Sequence, residues 1–133
     1  FVSDTRHHRH SSYLVANSDL PGFTERERNI LANLCRYHRK GMPAPAHADF
    51  QALDPEAKRA VMLLTPLLRL SAALDQTHEQ RVRTIDCNLQ NGSVSVILLS
   101  DSDVKLEKWA AEQVGDVFHQ VYERQLVIEK RKP

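Results

Sequence analysis

The sequence predicts an α+β chain, with an all-helical lobe over residues 1–80 and a small β-β-α-β lobe, built on an antiparallel sheet, over residues 81–133. Three observations carry this. Apolar residues recur at helical spacing through Ile30, Leu31, Leu34 and Cys35, and again through Val61, Leu64 and Leu68. After His78-Glu79-Gln80 the period falls to two, so that Ile85, Cys87 and Leu89 share one face of a strand. Asn91-Gly92 then separates two alternating runs, which is a two-residue hairpin signal.

Residues 6–17 read as a short helix with Tyr13 and Leu14 inward. His7 and His10 share a face of its first turn. A metal there needs a third or fourth ligand, and no Cys or carboxylate stands nearby at ligand spacing. Pro21-Gly22 makes a turn. Thr24 and Glu27 form a capping box. It opens a helix that runs to Lys40 and stops at Gly41. Residues 42–50 are a loop containing Pro43 and Pro45. Asp54 as N-cap and Pro55 at the first helical position open the next helix. Its apolar run extends to Leu74, with Val61, Leu64, Leu68 and Leu70 as core, and Pro66 predicts a kink or split near residues 62–65. Arg69 and Asp75 interrupt this apolar segment and are candidates to pair with each other.

Residues 83–89 and 93–99 form the hairpin strands. Asp101-Ser102-Asp103 starts one long amphipathic helix with Leu106, Trp109, Ala110, Val114, Val117, Phe118 and Val121 as its inward stripe. Residues 125–129 make the last strand.

Composition sets the bounds. The chain has 133 residues and a formal net charge of +1, so it is one domain or two small lobes and not a general nucleic-acid binder. With 41% hydrophobic residues it has enough apolar surface for a real core. No apolar run approaches the roughly 18 residues of a membrane span, and no signal peptide is visible. Cys35 and Cys87 fall in different lobes and read as small buried side chains in a reducing cytoplasm. The chain opens on Phe1-Val2-Ser3-Asp4-Thr5, which reads as an excerpt of a longer polypeptide.

The candidate site is the cationic end of the second helix, Arg36-Tyr37-His38-Arg39-Lys40. Cations at a helix C-terminus are favoured by the macrodipole alone, by about 0.3–1 kcal/mol each, so the cluster has a purely structural explanation too. The alternative is an anion site. Arg offers forked contacts to phosphate and Lys a point charge. His7, Arg9, His10 and Ser11 would extend such a track if the first two helices pack side by side.

Three blocks resemble one family in family order. His7-His8-Arg9-His10-Ser11-Ser12-Tyr13-Leu14-Val15-Ala16-Asn17-Ser18-Asp19-Leu20-Pro21-Gly22-Phe23 resembles the segment before the basic helix in the exopolyphosphatase / guanosine pentaphosphate phosphohydrolase (Ppx/GppA) family. Arg36-Tyr37-His38-Arg39-Lys40 resembles its Arg-Tyr/Phe-His-Arg-Lys helix end, and Leu67-Leu68-Arg69-Leu70-Ser71-Ala72-Ala73-Leu74-Asp75 its Leu-Leu-Arg-Leu-Ala helix. The resemblance covers nearly the whole chain. It implies the C-terminal part of such an enzyme: an HD-like helical lobe, truncated at its start, and a small α/β lobe.

The resemblance further implies that an N-terminal actin-like phosphatase module, with its catalytic carboxylate, phosphate loops and Mg²⁺, lies outside these residues. The chain alone is then inactive and carries no cofactor. Its isolated glycines, Gly22, Gly41, Gly92 and Gly115, form no phosphate loop. Nor does it hold an HD metal site: no His-Asp dipeptide occurs, and Arg69-Leu70-Ser71-Ala72 has alanine where a ligand would sit. The implied partner is inorganic polyphosphate or guanosine pentaphosphate. The competing reading is a structural module, a possible homodimer, whose charges are merely solvated and whose apolar load of Leu63, Leu64, Leu67, Leu68 and Leu70 allows a buried partner face. A third reading, a regulatory domain for guanosine tetra- or pentaphosphate, needs an aromatic base pocket, and Trp109 fits the core stripe better.

Overall fold

Helices come first and a three-stranded sheet second in the computed structural model, which describes Leu14 and residues 21–133. The expected helix over residues 6–17 lies, apart from Leu14, outside the described residues. The chain divides into two compact units, Phe1–Thr65 and Pro66–Pro133. Element type changes elsewhere, between the last helical turns and the first strand at Thr84.

In the first unit, α1 (Glu25–Tyr37) starts with the capping box the sequence predicts. The Glu27 N–H donates to Thr24 Oγ1 at 3.1 Å, and the Thr24 N–H to Glu27 Oε1 at 2.9 Å. The Thr24 N–H, and after it the Thr24 hydroxyl, hold the Glu27 carboxyl below its ordinary pKa. A short helix, α2 (Ala48–Gln51), interrupts what the sequence reads as loop. Then α3 (Pro55–Ala73) begins, capped by Asp54, which accepts from the Ala57 N–H at 2.8 Å. Asp54 also receives both arms of the Arg26 fork, at 2.7 and 3.1 Å. That bond, ahead of the Ala57 cap, drives the Asp54 carboxyl far below its ordinary pKa. Tyr37, Phe50, Leu53, Ala57 and Val61 make the core, so α1, α2 and the start of α3 close on one another.

The unit boundary falls inside α3, before Pro66, and the helix is not split there. Pro66 cannot donate the N–H that would bond the Met62 carbonyl, yet α3 continues through it. Thr65 Oγ1 back-bonds to the Val61 carbonyl at 2.7 Å in the same turn. Leu64 and Leu68, expected in the core, are 44% and 41% exposed, while Ala57, Val61 and Thr65 before the unit boundary and Leu70 and Ala73 after it are buried.

In the second unit, β1 (Thr84–Gln90) and β2 (Ser93–Leu99) form the predicted antiparallel hairpin, with Gln90 opposite Ser93 and Gly92 at positive φ in the turn. Two helices follow, α4 (Lys105–Glu112) and α5 (Gly115–Tyr122), then β3 (Gln125–Arg131). β3 pairs parallel with β2, so the sheet is mixed, in order β1-β2-β3, and not antiparallel as expected. The reason is distance. β2 is about 23 Å long at 3.3 Å per residue. Two eight-residue helices rise about 12 Å each, enough to return the chain to the start of β2. A strand starting there runs parallel, as a crossover connection requires.

The expected single helix therefore breaks in two at Gln113–Val114, just before Gly115, a poor helix former. Its inward stripe is also turned. Glu107, Ala110, Ala111, Val114 and Phe118 are buried, whereas Leu106 and Trp109 are 57% and 60% exposed. Glu107 sets that phase: it is fully buried and accepts from Thr77 Oγ1 at 2.8 Å. The segment leading to β1 is pinned within this unit as well. The Gln80 N–H donates to Asp75 Oδ1 at 3.0 Å, and Ser100 Oγ donates to the Arg81 carbonyl at 2.5 Å.

Candidate functional site

The end of α1 divides its residues between the interior and the surface. Tyr37 is 2% exposed. Its hydroxyl lies 2.5 Å from His47 Nδ1, and the two rings stack at 5.6 Å. The Ala44 N–H also reaches Nδ1, at 3.3 Å, and an N–H can only donate. Nδ1 is therefore the acceptor, the Tyr37 hydroxyl is its donor, and neutral His47 carries its proton on Nε2. Burial pushes the Tyr37 phenol up; Arg36 opposes that and Asp49 adds to it. One turn earlier, buried Asn33 donates through Nδ2 to the Asn29 and Asp49 carbonyls, at 2.9 and 3.4 Å. The second bond ties α2 to α1.

The helix ends sooner than the sequence predicts, at Tyr37 and not Lys40. His38 is the C-cap, and its Nδ1–H donates to the Cys35 carbonyl at 2.5 Å. In a longer helix the Arg39 N–H would take that carbonyl. Arg39 and Lys40 therefore stand beyond the last turn, exposed, and Gly41 at φ +77° redirects the chain. Arg36 stays on the helix, half-buried, with its guanidinium carbon 5.6 Å from the Tyr37 ring centre. Cys35 is half-buried, which pushes its thiol pKa up. Cys87, expected to be buried, is exposed, because the edge strand β1 is exposed throughout.

Five consecutive residues thus do different jobs. Tyr37 and His38 bond inward and close the helix. Arg36, Arg39 and Lys40 supply charge, and among the described residues none of the three is in an ion pair, whereas Arg26, Arg81 and Arg131 each are. A helix C-terminus carries roughly half a negative charge. Three cations exceed that several-fold, so the tip is net positive. His7, Arg9, His10 and Ser11, expected to extend it, lie outside the described residues. The sequence missed His47, Asn33 and the Arg26–Asp54 pair. Only Asp54 left a signal, its place before Pro55; ten residues separate Tyr37 from His47, and no spacing rule joins them.

Among the described residues no group of three or more His, Cys, Asp and Glu stands together that could hold a metal ion. No helix among them is long and apolar enough to cross a membrane. Residues 1–113 match the family model described as Ppx/GppA phosphatase, domain III.

Proposed function

Because the chain belongs to the Ppx/GppA phosphatase family, matching its domain III, we propose that it is the substrate-holding part of such a phosphatase, binding inorganic polyphosphate or the phosphorylated end of guanosine pentaphosphate. One observation carries the reading: Arg36, Arg39 and Lys40 gather at one helix end with no carboxylate paired to them among the described residues. Polyphosphate carries about one charge per phosphate and no base to recognise, so fixed cations are what it needs. His7, Arg9, His10 and Ser11 lengthen the track on this proposal. Hydrolysis of the terminal phosphoanhydride belongs to an N-terminal actin-like module, as does the Mg²⁺ that the family resemblance implies. This chain orients and holds the anion and has no hydrolytic activity of its own.

Titration with long-chain polyphosphate at low and high salt tests this. Binding should be saturable and should weaken as salt rises, since exposed cations are screened over a Debye length of about 10 Å at 0.1 M. An Arg36→Ala/Arg39→Ala/Lys40→Ala variant should fold normally and bind roughly a hundredfold more weakly at low salt, taking about 1 kcal/mol per cation. Equal binding by both proteins would remove the assignment.

A second reading has its own observation. Leu64, Leu67 and Leu68 are each more than 40% exposed on one helix, which is the apolar load of a structural module with a covered face. It predicts that the triple variant leaves all properties of the chain unchanged.

A further inference from the structure

β1 is the edge of the sheet, and each of its seven residues is exposed. Among the described residues nothing pairs with its outer side. Edges are normally guarded by Lys, Pro, a bulge or short length, because an open row of N–H and C=O groups recruits another strand. β1 has no Lys, Pro or bulge and a single charge, Asp86: it runs Thr84-Ile85-Asp86-Cys87-Asn88-Leu89-Gln90 and matches β2 residue for residue. The opposite edge, β3, ends in Glu129, Lys130 and Arg131.

Cross-strand partners share a face, so Ile85, Cys87 and Leu89 lie on the side of Leu98, Val96 and Val94. That side is the core side, where Val96 and Leu98 pack with residues of α4 and α5. Over β1 the cover stops, and Ile85 and Leu89 are 42% and 78% exposed. This is an apolar ledge beside an open hydrogen-bonding edge.

We propose that two copies of the chain pair antiparallel through β1, with Cys87 opposite the second copy's Cys87, to make one six-stranded sheet. The strand is self-complementary in that register. Ile85 meets Leu89, Thr84 meets Gln90, and the Asp86 carboxylate accepts from the Asn88 amide, each pair occurring twice by the two-fold axis. Other registers fail. A slip of one residue turns each apolar row to the other copy's polar face. A slip of two in one direction sets Asp86 against Asp86, which is repulsive. A slip of two in the other direction sets Asn88 against Asn88 and separates Asp86 from it, and either slip of two leaves two residues of each strand unpaired. The axis stands perpendicular to the sheet, so the two apolar ledges meet on one side. A second copy is therefore the occupant that the sequence of the edge itself matches.

Sedimentation of the whole chain and of two exposed-site variants tests this. The chain should dimerise reversibly. Asn88→Asp, which faces Asp86 with a second carboxylate, should weaken the dimer by about two- to thirtyfold, counting two symmetric pairs. Asn88→Lys should strengthen it by a similar factor. In a Cys35→Ser background, diamide should link two chains through Cys87, the two thiols losing two electrons and two protons to the oxidant. Opposed cross-strand residues lie about 4.5–5.5 Å apart at Cα, within disulfide range. A chain that stays monomeric, as it would if this edge served a different protein, overturns the proposal. So does a dimer indifferent to both Asn88 variants, or one that diamide does not link.

Discussion

Replacing Tyr37 with alanine is expected to destabilise the fold by about 3–5 kcal/mol, the range for deleting a buried aromatic ring. Tyr37 is almost fully enclosed and belongs to the cluster with Phe50, Leu53, Ala57 and Val61, so the change opens a cavity where three helices meet. It also removes the hydroxyl bonded to His47 Nδ1. Tyr37→Phe separates the two terms: it keeps the ring, loses the hydroxyl bond, and should cost about 0.5–1.5 kcal/mol. Urea unfolding followed by far-ultraviolet circular dichroism measures both. Tyr37→Phe should also leave polyphosphate binding unchanged, because its hydroxyl already donates to His47 and not outward. Equal losses in the two variants would contradict the packing account.

The second large effect lies in the sheet. Leu98 is fully buried on the central strand, in one cluster with Val96, Val104, Ala111 and Ile128. Leu98→Ala should cost about 2–5 kcal/mol. Leu89→Ala, an equal chemical change two strand positions from the hairpin turn, should stay within about 0.5 kcal/mol at concentrations where the chain is monomeric, because Leu89 is largely in water in the single chain. The same denaturation experiment compares them. A comparable loss at Leu89 would mean that the β1 ledge is covered in the isolated chain.

Local rules were legible wherever one signal decided the outcome. The Thr24–Glu27 box, the Asp54 cap, the Asn91-Gly92 turn and the change of period before β1 all stand as the sequence predicts. Two of the failures share a cause: a distant constraint overrode a local pattern. Glu107 is charged, so periodicity turned it outward and Trp109 inward; the structure does the reverse, with Thr77, thirty residues earlier, bonded to the buried carboxylate. The direction of β3 depended on how far two helices carry the chain, which hydropathy does not record. In the site, the charges were legible as a run, but the division of labour was not. That Tyr37 turns in and Arg39 and Lys40 turn out follows from His47 and from the cap at His38, neither of which a spacing rule reveals.

The claim that the end of α1 holds a polyphosphorylated anion is tested most directly by backbone amide shifts of the 15N-labelled chain during titration with tripolyphosphate. The account predicts saturable changes, largest at residues 36–41 and reduced by added salt. Shifts centred on the strands or on residues 105–122, or none at millimolar tripolyphosphate, would contradict it.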